Sequence, residues 1–118
     1  MPGISIHVVD VSRGVVATGM VVEVLAAATG TPPRLLASGR ITANGALLHP
    51  ALDEPFEPGF YEACFHIADF YRAAMGASAA TPFLDVVTYR FGIADSGAHY
   101  HLPMKCTPWG YSCFRGGA

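Results

Sequence analysis

The sequence predicts an all-β sandwich of seven or eight short strands with one short helix. Three observations support this prediction: β-patterned segments recur at roughly ten-residue spacing, turn signals separate them, and only one stretch combines helix formers with residues typical of helix ends. The 118 residues, 52% of them hydrophobic, have room for one compact domain over residues 1–118 and not for a second.

The first predicted strand covers residues 4–10, where side chains alternate with a period of two. The alternation places Ile4, Ile6 and Val8 on one face and His7 on the other, so a histidine is expected on the face turned away from the core. Two further β-patterned segments follow, with a Gly- and Pro-containing breaker run between them: residues 20–26 and 34–39, separated by 29–33.

Turn signals organise the rest of the chain. Asn44-Gly45 is the strongest short-range turn signal and predicts a tight reversal between residues 40–42 and 46–48. Residues 95–97, Asp-Ser-Gly, predict a second turn. The segments rich in β-branched and aromatic residues predict the remaining strands, at 59–66, 84–93, 98–106 and 109–115.

One segment, residues 69–75, predicts the single helix. It contains good helix formers, begins with Asp69 as a candidate cap, and is followed by Gly76 where a left-handed cap residue is expected. Near the first strand, Asp10 and Arg13 are expected to shape the first turn.

Charge and hydropathy exclude several classes of function. The formal net charge is −2 and no Lys/Arg cluster occurs, so the sequence predicts no nucleic-acid partner. The apolar runs are short and the first residues lead directly into a patterned segment, which predicts a soluble, cytoplasmic protein without a membrane span or signal peptide. Charged residues make up only 14%, against about 25% in a typical domain, so we expect part of the surface to be buried in an oligomer.

The three cysteines, Cys64, Cys106 and Cys113, predict neither a disulfide framework nor a thiolate zinc site, because their number is odd and no Cys-x-x-Cys spacing occurs. We expect reduced, packed thiols.

The candidate chemistry lies in histidines. His99 and His101 are two residues apart, so in a strand their side chains share one face and their positions are separated by about 6.6 Å along the strand. His7 would join them if the two strands pair or face each other. Three imidazoles that leave a fourth coordination position open are compatible with a catalytic zinc ion, although no carboxylate adjoins the pair to orient the rings. Metal-free acid–base hydrolysis and a polar surface pair are the alternatives.

A longer pattern surrounds these histidines. The segments His-Tyr-His-Leu-Pro at 99–103 and Thr-Pro-Trp-Gly-Tyr-Ser-Cys-Phe-Arg-Gly-Gly at 107–117 closely resemble the carboxy-terminal signature of the 5-hydroxyisourate hydrolases in the transthyretin-like family. Ile-His-Val-Val-Asp at 6–10, with the following Arg13-Gly14, resembles the amino-terminal motif of that family. The order and spacing of the intervening segments agree, so the resemblance covers nearly the whole chain.

The resemblance implies a transthyretin-like sandwich assembled as a homotetramer, with the active site at the dimer–dimer interface and no cofactor or metal. It implies that water opens the lactam ring of the small molecule 5-hydroxyisourate, giving 2-oxo-4-hydroxy-4-carboxy-5-ureidoimidazoline in urate catabolism. His7, His101 and His99 are the implied catalytic residues, with His101 the inner one of the pair. The implied substrate-binding residues of the last segment are Ser112, Phe114 and Arg115.

The chain departs from the family pattern at several polar positions. Ala46 stands where the hydrolases have an arginine after the turn glycine, and Arg40 and Arg90 are the candidates to replace it. Phe114 lacks the phenol hydroxyl of the family, and Gly117 lacks a serine hydroxyl. Two alternatives follow from these losses: hydrolysis of a less polar analogue such as an N-methylated hydroxyisourate, or non-enzymatic ligand binding by a transthyretin-like tetramer.

Overall fold

A computed structural model describes residues 2–76 and 81–117, which form two four-stranded sheets and one α-helix. This confirms the predicted all-β sandwich with one short helix. The first sheet has the order β2-β1-β7-β8, with β1 at Gly3–Asp10, β2 at Val15–Val16, β7 at His99–Cys106 and β8 at Tyr111–Cys113. The second sheet has the order β4-β3-β5-β6, with β3 at Val21–Ala28, β4 at Thr31–Arg40, β5 at Gly59–His66 and β6 at Val86–Ile93. Helix α1 spans Ile67–Met75.

Period-two alternation determines which residues of β1 and β7 face the core. In both strands every second side chain is buried against the second sheet, and the intervening ones are half-buried or exposed on the outer face. The buried set comprises Ile4, Ile6 and Val8 of β1 and Tyr100, Leu102 and Met104 of β7. The outer face of the first sheet therefore receives the polar side chains of these two strands.

Helix α1 begins two residues before the predicted start, and the prediction that Asp69 caps it is wrong. The N-cap residue is His66, which makes no capping hydrogen bond with its side chain. Asp69 lies in the first turn, where its carboxylate accepts from Arg72 at 3.2 Å. The predicted end is confirmed, because Gly76 has a φ of 82° and donates its N–H to the Arg72 carbonyl at 2.9 Å.

Most strand boundaries differ by one or two residues from the predictions, and the differences are largest in β4, predicted at 34–39, and in the last strand, predicted at 109–115. Strand β4 begins at Thr31 and includes Pro32 and Pro33, which the sequence predicted as breakers. Because β4 is an edge strand paired only with β3, a register irregularity there accommodates residues that lack an N–H. The last strand is only three residues long, since Thr107 Oγ1 accepts from the backbone N–H groups of Trp109 and Gly110 and forms a turn.

A buried carboxylate holds the end of β1 against the helix. Asp10 is fully buried and accepts hydrogen bonds from Ser12, Arg13 and Tyr71, each at 2.6 Å. Burial alone raises the pKa of the Asp10 carboxyl, but the hydrogen bonds from Ser12, Tyr71 and Arg13 outweigh it and lower the pKa below its usual value. The prediction that Asp10 and Arg13 shape the first turn is confirmed.

Candidate active site

The three signature histidines lie together on the outer face of the first sheet. Strands β1 and β7 are adjacent and pair in parallel, so the condition under which His7 joins His99 and His101 is met. The register sets Gly3 opposite His99, Ser5 opposite His101 and His7 opposite Pro103. All three imidazoles are half-buried, so each is accessible to a small molecule while its position is restricted by neighbours.

Ser5 connects two of the imidazoles. Its Oγ lies 2.7 Å from Nε2 of His99 and 2.7 Å from Nδ1 of His101. His99 has a second contact, in which its Nδ1 is 3.4 Å from the backbone carbonyl oxygen of Pro2. Both ring nitrogens of His99 are therefore engaged, whereas Nε2 of His101 has no hydrogen-bond partner among the described residues.

The predicted turn at Asn44-Gly45 positions the third imidazole. The turn is confirmed by the N–H of Gly45, which donates to the Thr42 carbonyl at 3.0 Å. Nε2 of His7 donates to the Asn44 carbonyl at 2.9 Å, and His7 bridges to Ala46 in antiparallel register. Gly45 has a φ of +89°, and a Cβ on it would lie 2.4 Å from Nε2 of His7, so only glycine fits this approach.

The chain end packs beside His101. The N–H of Gly116 donates to the His101 carbonyl at 2.7 Å. A Cβ on Gly116 would lie 2.8 Å from Cδ2 of the His101 ring and 3.2 Å from Cδ of Pro103. The tail segment therefore limits the positions that the His101 imidazole can adopt.

The predicted substrate-binding residues of the last segment have different environments. Ser112 is exposed and lies opposite Lys105 in the β7–β8 pairing. Phe114 is 44% exposed. Arg115 donates to the His99 carbonyl at 3.3 Å, and its guanidinium lies over the ring of Tyr100 at 4.1 Å from the centroid. Arg115 thus packs against the same strand as the histidine pair.

The position of the missing family arginine is next to His7, because Ala46 forms the bridge to that residue. Among the described residues, neither candidate replacement makes a hydrogen bond to His7 or Ala46. Arg40 lies at the end of β4 and donates to the Gly19 carbonyl at 3.1 Å, and in the described part of the chain it makes no hydrogen bond to a histidine. The suggestion that Arg90 compensates is not supported, because Arg90 belongs to the second sheet and pairs with Glu62 at 3.5 Å.

One cation that the sequence patterns did not single out, Lys105, lies on this face. Lys105 is exposed, opposite Val9 of β1 and Ser112 of β8, and two residues along β7 from the Pro103 that faces His7. Within residues 2–76 and 81–117 no carboxylate pairs with its ammonium group. The period-two pattern of the sequence could have predicted this position, because residues 101, 103 and 105 share one face of a strand.

The thiols of the chain are suited to packing rather than to nucleophilic attack. In the described part of the chain, Cys64, Cys106 and Cys113 are all free. Burial raises the pKa of each thiol, that of Cys113 to about 11, so all three are protonated at neutral pH.

Three cavities of about 250 to 270 Å³ lie elsewhere, beside the helix and near the 3-10 turn at Pro50–Asp53. The histidines line none of these cavities and lie on an open sheet face.

Among the described residues, His, Cys, Asp and Glu form no group of three able to hold a metal ion. No helix in the described part of the chain is long and apolar enough to cross a membrane. Paired imidazoles on such a face are suited to proton transfer.

A two-sheet sandwich with imidazoles grouped on the outer face of one sheet defines a transthyretin-like class of protein. Residues 4–116 match the model of the family described as HIUase/Transthyretin. The chain belongs to that family.

Named relatives of this chain are hydrolases. The 5-hydroxyisourate hydrolase of Deinococcus radiodurans is 39% identical over 116 residues, covering 98% of this chain and 96% of the relative. The solved 5-hydroxyisourate hydrolase of Klebsiella pneumoniae superposes with a TM-score of 0.78 at 25% identity, covering 99% of this chain and 100% of that one. A solved (S)-allantoin synthase superposes with a TM-score of 0.85 at 29% identity. The match covers 98% of this chain and 43% of the synthase chain.

Proposed function

We propose that this protein is a 5-hydroxyisourate hydrolase that opens a cyclic amide by metal-free acid–base chemistry. One observation supports this most directly: His7 and His101 share a sheet face in a chain 39% identical to a hydrolase of that name. The place of the reaction in urate catabolism and a cytoplasmic location belong to the same proposal. The two alternatives, a methylated substrate and ligand binding without catalysis, are not favoured by these relatives.

The proposed reaction adds one water across the amide bond. The water oxygen attacks the lactam carbonyl carbon while Nε2 of His101 takes a proton from that water. The ring C–N bond then breaks, and the leaving nitrogen takes a proton from Nδ1 of protonated His7. His7 is suited to this role because its other N–H is held by the Asn44 carbonyl at 2.9 Å. Exchange with solvent returns both histidines to their starting states, and the product contains a new carboxyl group.

The carbonyl oxygen becomes negatively charged during the attack, so the site needs a positive group. The family arginine is absent at Ala46, so the residue that bridges to His7 has a methyl group in place of a cation. Lys105 lies on the same sheet face, and its long, flexible stem allows its ammonium group to move across that face. We assign the stabilisation of the oxyanion to Lys105.

An enzyme that performs this chemistry needs a site closed to bulk water. In one chain the histidines lie on an open face, and exposed aromatic side chains adjoin β8: Trp109 at 70%, Tyr111 at 50% and Phe114 at 44%. A second copy covering this face would complete the pocket, which supports a homotetramer with the site at a dimer–dimer interface. Light scattering should then give four times the 12.4 kDa of one chain, whereas a fully active monomer would contradict the assembly.

The function is tested by ultraviolet stopped-flow measurement of 5-hydroxyisourate decay, with the substrate generated from urate during the assay. The wild type should accelerate decay, and His101→Ala should lower kcat/KM by about 10²- to 10⁴-fold. His66→Gln is the matched control, because His66 lies in the second sheet beside Glu23. Wild-type decay at the uncatalysed rate would overturn the proposal, and binding or turnover of a methylated analogue in that case would favour an alternative.

A further inference from the structure

The hydroxyl of Ser5 contacts two imidazoles but has only one hydrogen to donate. Its oxygen lies 2.7 Å from both Nε2 of His99 and Nδ1 of His101. The hydroxyl therefore donates to one ring and accepts from the other. Which ring accepts determines the nitrogen of His101 that bears a proton.

The carbonyl of Pro2 selects one of the two arrangements. A carbonyl oxygen only accepts, so the 3.4 Å contact places a hydrogen on Nδ1 of His99. A neutral His99 then has a bare Nε2, which accepts the hydrogen of Ser5. The Ser5 oxygen in turn accepts from Nδ1–H of His101, and Nε2 of His101 has a free lone pair.

The reversed arrangement is unfavourable. If Ser5 donated to His101, a neutral His99 would donate its hydrogen through Nε2 and would turn a bare Nδ1 towards the Pro2 carbonyl. Two lone pairs would then face each other without a hydrogen between them. In that arrangement Nε2 of His101 would also be protonated and unable to take a proton from water.

We propose that Ser5 is a positioning residue that holds His101 in the tautomer with its hydrogen on Nδ1. The inference rests on the proposed function, in which Nε2 of His101 acts as the base. It also gives distinct roles to the two histidines of β7. Both nitrogens of His99 are used in the hydrogen-bond chain from Pro2 to His101, so His99 supports the base and does not take the proton itself.

The tautomer is measured directly by nitrogen-detected NMR of protein labelled with ¹⁵N-histidine, at about pH 8, where a free imidazole is neutral. The spectrum of His101→Ala identifies the His101 signals. In the wild type we expect a protonated Nδ1 and a bare Nε2 for His101. Ser5→Ala should give a mixture of both tautomers, and Ser5→Thr, which keeps a hydroxyl and suits a strand, should restore the wild-type pattern.

The kinetic readout separates positioning from binding. Ser5→Ala should lower kcat by about 3- to 10-fold with little change in KM, because the base is present but the active tautomer is only a minor fraction of the mixture. Ser5→Thr should recover most of the loss. Ser38→Ala is the matched control, since Ser38 is an exposed strand serine of the second sheet.

Two results would overturn the role of Ser5: a wild-type His101 with its hydrogen on Nε2, or an unchanged His101 tautomer in Ser5→Ala. If Ser5→Ala does not fold, the wild-type and Ser5→Thr spectra decide the same question. Failure of the proposed function is a separate result, namely a wild type that does not accelerate hydroxyisourate decay. The NMR measurement needs no activity and tests Ser5 in either case.

Discussion

Gly116 donates its backbone N–H to the carbonyl of His101 and leaves no space for a side chain against the ring of that histidine. The tail of the chain and the second histidine of β7 are therefore packed as one unit. This contact links a glycine of the carboxy-terminal signature to the position of the proposed base.

Gly116→Ala should displace the His101 ring, because the new Cβ would lie 2.8 Å from Cδ2. A shift of about 1 Å in a catalytic group costs on the order of 10²-fold in rate, so we expect a loss of that size in kcat/KM. Gly117→Ala is the matched control, since a Cβ there has nothing within 4 Å and should leave the rate unchanged. Equal rates for both variants would show that the packing of Gly116 does not position His101.

Gly45→Ala should lose both stability and activity. The φ of +89° strains any other residue by about 1 to 3 kcal/mol, and the Cβ would also collide with Nε2 of His7. Gly14→Ala isolates the strain, because Gly14 has a φ of +69° with open space around it. Urea denaturation and the decay assay should show both variants destabilised and only Gly45→Ala inactive. Full activity of Gly45→Ala would contradict the proposed role of His7.

Lys105→Met should lower kcat/KM by about 10²- to 10³-fold, the usual cost of removing one electrostatic group that stabilises an oxyanion. Lys105→Arg keeps the charge and should retain most of the rate. Adding Ala46→Arg to Lys105→Met should restore activity, because it returns a cation to the position beside His7. A wild-type rate for Lys105→Met would show that the charge comes from another residue.

Acid should weaken the protein in part through Asp10. Because the pKa of Asp10 is lowered in the folded state, its carboxylate stabilises the fold above about pH 4, and this contribution is lost as pH falls through the folded pKa. Asp10→Asn removes the buried charge that accepts from Ser12, Tyr71 and the partly exposed Arg13, and should cost about 1 to 3 kcal/mol at pH 7. Urea midpoints measured from pH 7 to pH 3 should fall less steeply for Asp10→Asn than for the wild type. Parallel curves would contradict this account.

Local sequence patterns were sufficient to predict which side chains of a strand face the core, but not which strands lie next to each other in a sheet. The alternation in residues 4–10 correctly turned His7 away from the core, and the Asn44-Gly45 turn lies where the sequence predicts it. The parallel pairing of β1 with β7 joins residues more than 90 positions apart, and no local signal encodes that register. The link from Ser5 to the histidine pair depends on it and was therefore not predictable.

Other differences have local physical causes. Asp69 has the residue type of a cap, but helix α1 follows directly from β5, so the first turn is already formed when Asp69 is reached. Pro32 and Pro33 were predicted to break a strand, and the unpaired edge of β4 tolerates them. Lys105 was overlooked although the period of two that paired His99 with His101 also places it on their face.

The central claim is that His7 and His101 act on the same hydrolytic reaction. Its most direct test is the rate of 5-hydroxyisourate decay measured for the wild type, His7→Ala, His101→Ala and the double variant. Since both imidazoles serve one step, each single variant should lose at least about 10²-fold, and the double variant should be little slower than the worse single variant. Single variants that retain the wild-type rate would contradict the claim.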